Sequence, residues 1–401
     1  IIGGLAGDAL TDADYNVAVG KSALTTETLG SRSTAIGTSA LSNQNNTTAT
    51  DVYNTAVGFE AGGSVTTGER NTLVGGLAGD ALTSGNNNVA VGFGALSDDT
   101  LGDRNVAIGV SALEQQNFTT TTDSYNVAVG YNAGLTVTTG VQNTLVGGLA
   151  GDALTTGFNN VALGYFALGG EDTGRKNVAI GVSALKVQNS DTDNFNTAVG
   201  FESGQAVTTG VSNTFIGGES GTSTTDADYN IAIGHGALHE NQVGSRNTAV
   251  GFNCLYNTKP SSAANTNNTA MGYAAGSSIT TGVDNTIFGT NAGDQITTAQ
   301  QNTAIGYLAL TTCNGDFNTG VGVGALNDTS SGTNNTAVGR LAGFDVSSGS
   351  NNIAIGVEAL RSGSPGGPVT TGSNVIGLGD ENISSFNCQV ALTVASDERD
   401  K

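Results

Sequence analysis

His235 and His239 are four residues apart, the spacing that puts two imidazoles on one face of a helix and within reach of one metal ion. They are the only histidines in the chain. The sequence is repetitive, however, and the positions equivalent to 235 hold Lys21, Phe93, Tyr165 and Tyr307, which marks a variable surface position, so no metal site is expected. Asp98 and Asp99 are the carboxylate pair a glycosidase would use, but such a pair must flank a glycosidic bond roughly 5 to 10 Å apart in a cleft. These two read as turn residues with no aromatic platform near them. Gly20-Lys21-Ser22 looks like the end of a phosphate-binding loop, yet the glycine needed five residues earlier is Tyr15. Cys254, Cys313 and Cys388 follow no paired spacing and read as small apolar residues. The chain therefore reads as non-enzymatic, with no cofactor.

The residues that do recur are structural. A pentapeptide Asn-[Thr/Val]-Ala-[Val/Ile]-Gly returns throughout, its closing glycine at 3, 20, 37, 58, 75 and onward to 377, most often at a spacing of 17. A repeat this short cannot bury a hydrophobic face alone and must stack on its neighbours. Across the 21 complete copies the first residue is Asn in 19, and the residue before the glycine is always apolar. A β-branched residue stands three before the glycine in every copy but that of Asn374, which gives the alternation of a strand. Asn, Gly and β-branched residues are poor helix formers. The expected fold is all-β, a parallel β-solenoid or β-roll of about 22 coils with a 17-residue period, on the order of 100 Å long at the usual strand spacing.

Within each coil the β-branched residues are expected on the core side, so that a charge at Val199 would be buried, while the Ala/Gly face lies bare for another backbone to approach. The Ala-Leu or Ala-Gly pair after each glycine reads as a second short strand. The aligned asparagines, Asn54, Asn71, Asn88, Asn105, Asn126 and Asn143 among them, are expected to form a ladder of side-chain amides bonded between coils.

A longer period lies over the short one. Gaps of 17, 17, 17 and 21 make four-coil blocks with a period of about 72, and Leu73, Leu145, Phe215 and Ile287 replace the strand alanine once per block. The extra residues enter at 42–53, 114–125, 186–195 and 256–267 and should project from one side. Their Asn, Thr, Ser and Asp content, with Tyr53, Phe118, Tyr125, Phe195 and Tyr256, suits polar, carbohydrate-like recognition, so these aromatics are the candidate surface-recognition residues.

Thirteen basic residues face 34 acidic ones, a net charge of −21, which argues against nucleic acid or an anionic membrane as partner. No run of 18 apolar residues is present to span a bilayer, so membrane insertion is not expected. The chain opens inside a repeat, Ile1-Ile2-Gly3-Gly4, and is expected to begin mid-protein.

The N-[TV]-A-[VI]-G-x-x-[AS] repeat resembles the head repeat of trimeric autotransporter adhesins and similar repeats of phage tail fibres, from Ile1 to about Gly377. The resemblance implies a left-handed roll and a homotrimer. The ending Ser396-Asp397-Glu398-Arg399-Asp400-Lys401 resembles the start of a peptidase S74 intramolecular chaperone, which favours the tail fibre. That resemblance implies self-cleavage with Ser396 as nucleophile and Lys401 as its base. The expected organisation is a shaft over 1–363, a Gly/Pro-containing transition and last coil over 364–381, a terminal strand over 382–396 and the chaperone start over 397–401. The expected role is the shaft of a phage tail fibre, extracellular on the virion, whose partners are its own copies, other tail or fibre proteins and a host-surface glycan or protein. The alternatives are a bacterial trimeric adhesin head on the cell surface and an ice-binding solenoid.

Overall fold

The computed structural model of the chain describes residues 1–364, 366–385 and 387, and among these there is no helix. A three-residue strand recurs instead. Thr55–Val57, Thr72–Val74 and Val89–Val91 pair in parallel with like beside like: Ala56 opposite Leu73 opposite Ala90, Val57 opposite Val74 opposite Val91. The fold is thus a parallel β-solenoid with one such strand in each turn. The coils fall into two compact units, Ile1–Ala274 and Ala275–Lys401. In the first the paired strands run from Val17–Val19 to Thr269–Met271, and in the second from Thr286–Phe288 to Ile376–Leu378.

The second strand expected after each glycine does not form among the described residues; the Ala-Leu and Ala-Gly pairs lie in consecutive turns. The cause is local. Glu60 (φ 55) and Gly62 (φ 59) both adopt left-handed backbone, which curls the chain within a few residues instead of extending it. These turns stack as the strands do, Gly62 N–H bonding the Ala78 carbonyl at 3.0 Å and Glu60 N–H the Thr38 carbonyl at 2.9 Å. The closing glycines stack as well. Gly58 sits at φ +148, and a Cβ there would run into the backbone of Gly75, so the column admits no larger residue.

The faces are the reverse of those expected. The strand alanine points into the coil: Ala18, Ala56, Ala128 and Ala198 are fully buried, while the β-branched residues on either side are half-exposed or exposed. A coil this short and flat encloses very little volume, and where the closing turn carries leucine only a small side chain fits opposite it. The second buried column, Ala61, Ala78, Ala95 and Ala112, comes from that turn. Val199 therefore lies on the outside, and no partner backbone reaches the alanine face because the coil's own turns cover it.

The four-coil period is a packing exchange. Four residues after the closing glycine stands Leu41, Gly62, Gly79, Leu96, then Leu113, Gly134, Gly151, Leu168. The glycine pairs flank the strands that carry Leu73 and Leu145. An added Cβ at Gly62 would lie 2.6 Å from Leu73 Cδ1, and one at Gly79 2.8 Å from Leu73 Cδ2. A large residue on the strand thus takes the space that two leucines fill elsewhere, which keeps the core volume constant.

The last described coil has a different register from the one expected. Ile353 pairs with Ile376, Ala354 with Gly377 and Ile355 with Leu378, so Gly379, not Gly377, is the closing glycine. This register sets Gly377, and not the larger Val375, opposite Ala354, and puts Ile376 instead of Asn374 opposite Ile353. The expected terminal strand over 382–396 lies outside the described residues apart from 382–385 and 387, as do the chaperone start over 397–401 and with it Ser396 and Lys401.

Candidate functional site

The asparagine ladder holds the coils in register, by bonds that run mainly to backbone. Asn54 Oδ1 accepts the Asn71 N–H at 2.9 Å, while Asn54 Nδ2 donates to the Gly68 carbonyl at 2.7 Å. Asn71, Asn88, Asn105, Asn126 and Asn143 continue the N–H···Oδ1 column at 2.9 to 3.2 Å. A direct amide-to-amide bond appears at Asn105 Nδ2 to Asn88 Oδ1, 3.2 Å. Every member is fully buried, so each bond satisfies a group that water cannot reach.

Beside this column, once per four-coil block, lies a buried carboxylate that sequence reasoning missed: Glu27, Asp99 and Glu171, with Asn241 in the fourth place. The signal was the recurrence, block after block, of an acid followed one short period later by Gln44, Gln116 or Gln188. Each carboxylate anchors the start of a lengthened coil. Asp99 Oδ1 accepts the N–H of Gly102 (3.1 Å) and of Phe118 (3.3 Å), and its Oδ2 takes Gln116 Nε2 at 2.7 Å. Gln116 Oε1 in turn accepts Asn126 Nδ2 at 2.8 Å, tying loop to ladder. Glu171 repeats this with Gly174, Gln188 and Ser190. Asp98 and Asp99 therefore do not face each other across a cleft: Asp99 is a structural anchor inside the coil.

The two anchors titrate oppositely. Burial pushes the Asp99 carboxyl above its usual 3.8, and its hydrogen bonds offset this only in part. Burial also raises Glu27, but bonds from the Asn46 side chain, Gly30, Gln44 and the Asn46 backbone outweigh it and hold Glu27 below its usual 4.5. Asp99 is the more deeply buried of the two, and Phe118, which stands where the first block has Asn46, offers a backbone N–H but no side-chain donor. Burial likewise raises Asp80, Asp152 and Asp294. For a raised acid the folded state binds the extra proton. These groups cost stability above their folded values, and that cost is relieved as pH falls through those values toward 3.8. Asp99→Asn is expected to reduce the rise in unfolding midpoint seen on mild acidification; chemical denaturation at neutral and mildly acid pH checks it.

The loops held by these anchors narrow to exposed tips at 47–49, 119–121, 191–192 and 261–265. Their return limbs re-pair with the coil before, Thr122–Asp123 on Gly102–Asp103 and Thr50–Asp51 on Gly30–Ser31. At the first three returns stand a basic residue, an aspartate and an aromatic ring; the fourth has Arg246, Asn265 and Asn267 in their places. Arg104 Nη1 meets Asp123 Oδ2 at 2.7 Å, and its guanidinium lies 5.5 Å from the Tyr125 ring. Arg32, Asp51 and Tyr53 repeat the set, with Arg32 also 5.0 Å from Tyr15, and Lys176, Asp193 and Phe195 form the third. Tyr53, Tyr125 and Phe195 are about half exposed, as a recognition surface requires. Phe118 is a correction: at 6 % exposure it is buried, its N–H tied to Asp99 and its carbonyl to Thr100 Oγ1. Tyr256 is half-buried and stacks on His239, with ring centroids 4.7 Å apart.

The third surface is the outward strand face itself. Ile36, Ile108, Leu163, Ile216 and Met271 in the first unit, and Ile305 and Ile355 in the second, are all exposed. Beside them the residue after the closing glycine adds a ring in some coils, Phe59, Phe93, Tyr131 and Tyr165 among them, and a charge in others, Lys21 and Arg340. None of the 21 repeats carries a charged residue at any of the three positions before its closing glycine, despite a chain charge of −21.

The cysteines Cys254 and Cys313 are inert core residues, as expected. Burial pushes the Cys254 thiol up to about 12 and the Cys313 thiol up to about 11, which suppresses the thiolate. In a Cys388→Ser variant neither thiol should react with a thiol reagent until the chain is unfolded; absorbance assay before and after denaturation checks this. No protein-family model matches the chain, and none of the curated proteins searched is similar to it.

Proposed function

We propose that the chain is the shaft of a homotrimeric fibre of the phage tail-fibre kind, which carries a host-binding function outward on the virion. The observation that supports it best is the uncharged strand face, on which exposed aliphatic side chains run beside a row of threonine and valine or isoleucine. In the first unit alone it spans strands from Val17–Val19 to Thr269–Met271, about 70 Å at the usual strand spacing. Soluble monomers rarely leave contiguous apolar patches beyond about 300–600 Å² exposed.

The occupant that suits this face is another copy of the chain. A copy in register sets like coil beside like coil at every height, and the three strand positions bring no charge into the contact. The acids lie elsewhere and keep the assembly soluble. The half-exposed sets around Tyr53, Tyr125 and Phe195 recur every four coils, about 19 Å apart, and supply the surface for a host glycan or protein. In this reading the chain does no chemistry of its own; it gives reach, stiffness and display.

The threonine hydroxyls weigh against ice binding. Thr66 Oγ1 donates to the Thr83 carbonyl, Thr83 Oγ1 to Thr100 and Thr138 Oγ1 to Thr155, so they are spent within the stack. Electron microscopy of single particles tests the fibre reading. Thin rods on the order of 100 Å long are expected, and compact globules would overturn it.

A further inference from the structure

We propose that Ser39, Asn43, Glu60, Ser64 and Asp80 form a binding site for a hydroxyl-bearing ammonium, the chemical class of an amino sugar. These residues line one open hollow of about 210 Å³, with Ser42 and Gly63 completing its wall. That is below the roughly 300–1,000 Å³ of sites for drug-sized ligands and leaves room for a single small ring. The inference narrows the host-surface ligand of the proposed function and rests on that reading for its role, while the binding itself needs only one chain.

Successive turns build the hollow. Ser39, Ser42 and Asn43 follow the closing Gly37, Glu60, Gly63 and Ser64 follow Gly58, and Asp80 follows Gly75. The Asn43 N–H bonds the Gly63 carbonyl at 3.3 Å and the Ser64 N–H the Asp80 carbonyl at 2.9 Å, so backbone contacts fix the walls. Ser42 Oγ is spent on the Gly63 carbonyl at 3.2 Å. The Ser39 and Ser64 hydroxyls, the Asn43 amide and the Glu60 carboxylate bond to nothing else among the described residues. Asp80 is held with Oδ1 buried and unpartnered, so Oδ2 is the oxygen it offers.

The lining holds two negative charges and no positive one. Among the described residues no Arg or Lys pairs with Glu60 or Asp80; the ion pairs go to other acids, Asp51, Asp123 and Glu358 among them. Burial, and then the like charges of Asp98 and Glu60, push the Asp80 carboxyl above its usual 3.8. An ammonium relieves that repulsion. Hydroxyls on the same ligand suit the free serines and Asn43, which both donate and accept. In the next block Asn132 stands for Glu60, Glu114 for Ser42 and Leu135 for Gly63, so the paired charge and the open floor belong to this hollow and not to its repeat.

The test is a saturation-transfer NMR titration of the untagged chain with D-glucosamine at neutral pH. Saturable binding is expected, about tenfold tighter than that of D-glucose, which lacks the amine, or of cyclohexylamine, which lacks the hydroxyls. Glu60→Gln and Asp80→Asn should each weaken it about tenfold through the loss of a charge-assisted hydrogen bond. Gly63 lies outside the left-handed backbone region, so Gly63→Leu, which copies Leu135 and leaves every charge in place, should abolish binding with the circular dichroism melt unchanged. No saturable signal from glucosamine with the unaltered chain would overturn the site. So would glucose or cyclohexylamine binding as tightly, or a Gly63→Leu chain that binds as before. A monomer that binds glucosamine keeps the site and overturns the fibre; a trimer that does not bind it does the reverse.

Discussion

Ala198→Asp is expected to unfold the coils around it, while Val199→Asp, one residue on, leaves a single chain folded and removes its assembly. Ala198 is fully buried between turns that offer no counter-charge, and an uncompensated buried charge costs about 3–5 kcal/mol. Val199 is half-exposed on the strand face, where a substitution within one chain costs roughly 0.5 kcal/mol or less. In a trimer joined through that face, however, three aspartates would be brought together away from water. Circular dichroism melting separates the first effect and size-exclusion chromatography the second. If Val199→Asp unfolds the chain and Ala198→Asp does not, the strand faces are assigned the wrong way round.

Phe215→Ala is expected to cost about 3–5 kcal/mol, the range for emptying a buried aromatic site. Phe215 is the largest fully buried side chain among the described residues, and its ring fills the space between Gly204 and Gly221, where an added Cβ would come within 2.8 Å of Cδ2 and 2.6 Å of Cδ1 respectively. The exchange of strand volume for turn volume makes a sharper claim. Gly204→Leu and Gly221→Leu should each be destabilising alone and should restore stability in the Phe215→Ala background. Leu185 (φ 47) and Leu238 (φ 52) hold leucine at the equivalent turn position in neighbouring coils, so the backbone accepts it. Denaturant unfolding of the single and combined variants measures the coupling; additive losses would contradict the exchange.

The solenoid, its parallel register and its four-coil block were legible in the sequence because each is a spacing. The pentapeptide fixed where strands begin, and the asparagine column fixed their alignment. The direction of the side chains was not legible. Alternation shows that two faces exist, but the usual rule that β-branched residues face the core fails in a coil too thin to hold them. The anchors Glu27, Asp99 and Glu171 were missed for a related reason: a carboxylate in a polar turn reads as solvated, and only the closed coil shows it capping Gly30, Gly102 and Gly174. Phe118 read as a surface ring for the same reason. Leu73, Leu145 and Phe215 stood out by size, whereas the glycines that accommodate them were hidden among many others of that type.

Of the exposed aromatic sets, Tyr53, Tyr125 and Phe195 were found by type, and their basic and acidic companions by structure. Arg32, Arg104 and Lys176 lie a whole coil earlier in the sequence and meet the rings only because one coil stacks on the next.

The account rests on copies of the chain meeting through the uncharged strand face, and the mass of the untagged chain in solution by light scattering tests this most directly. A mass three times the 39.8 kDa of one chain is predicted, falling to a single chain in Val199→Asp. A wild-type mass of 39.8 kDa, with the apolar face left in water, would contradict it.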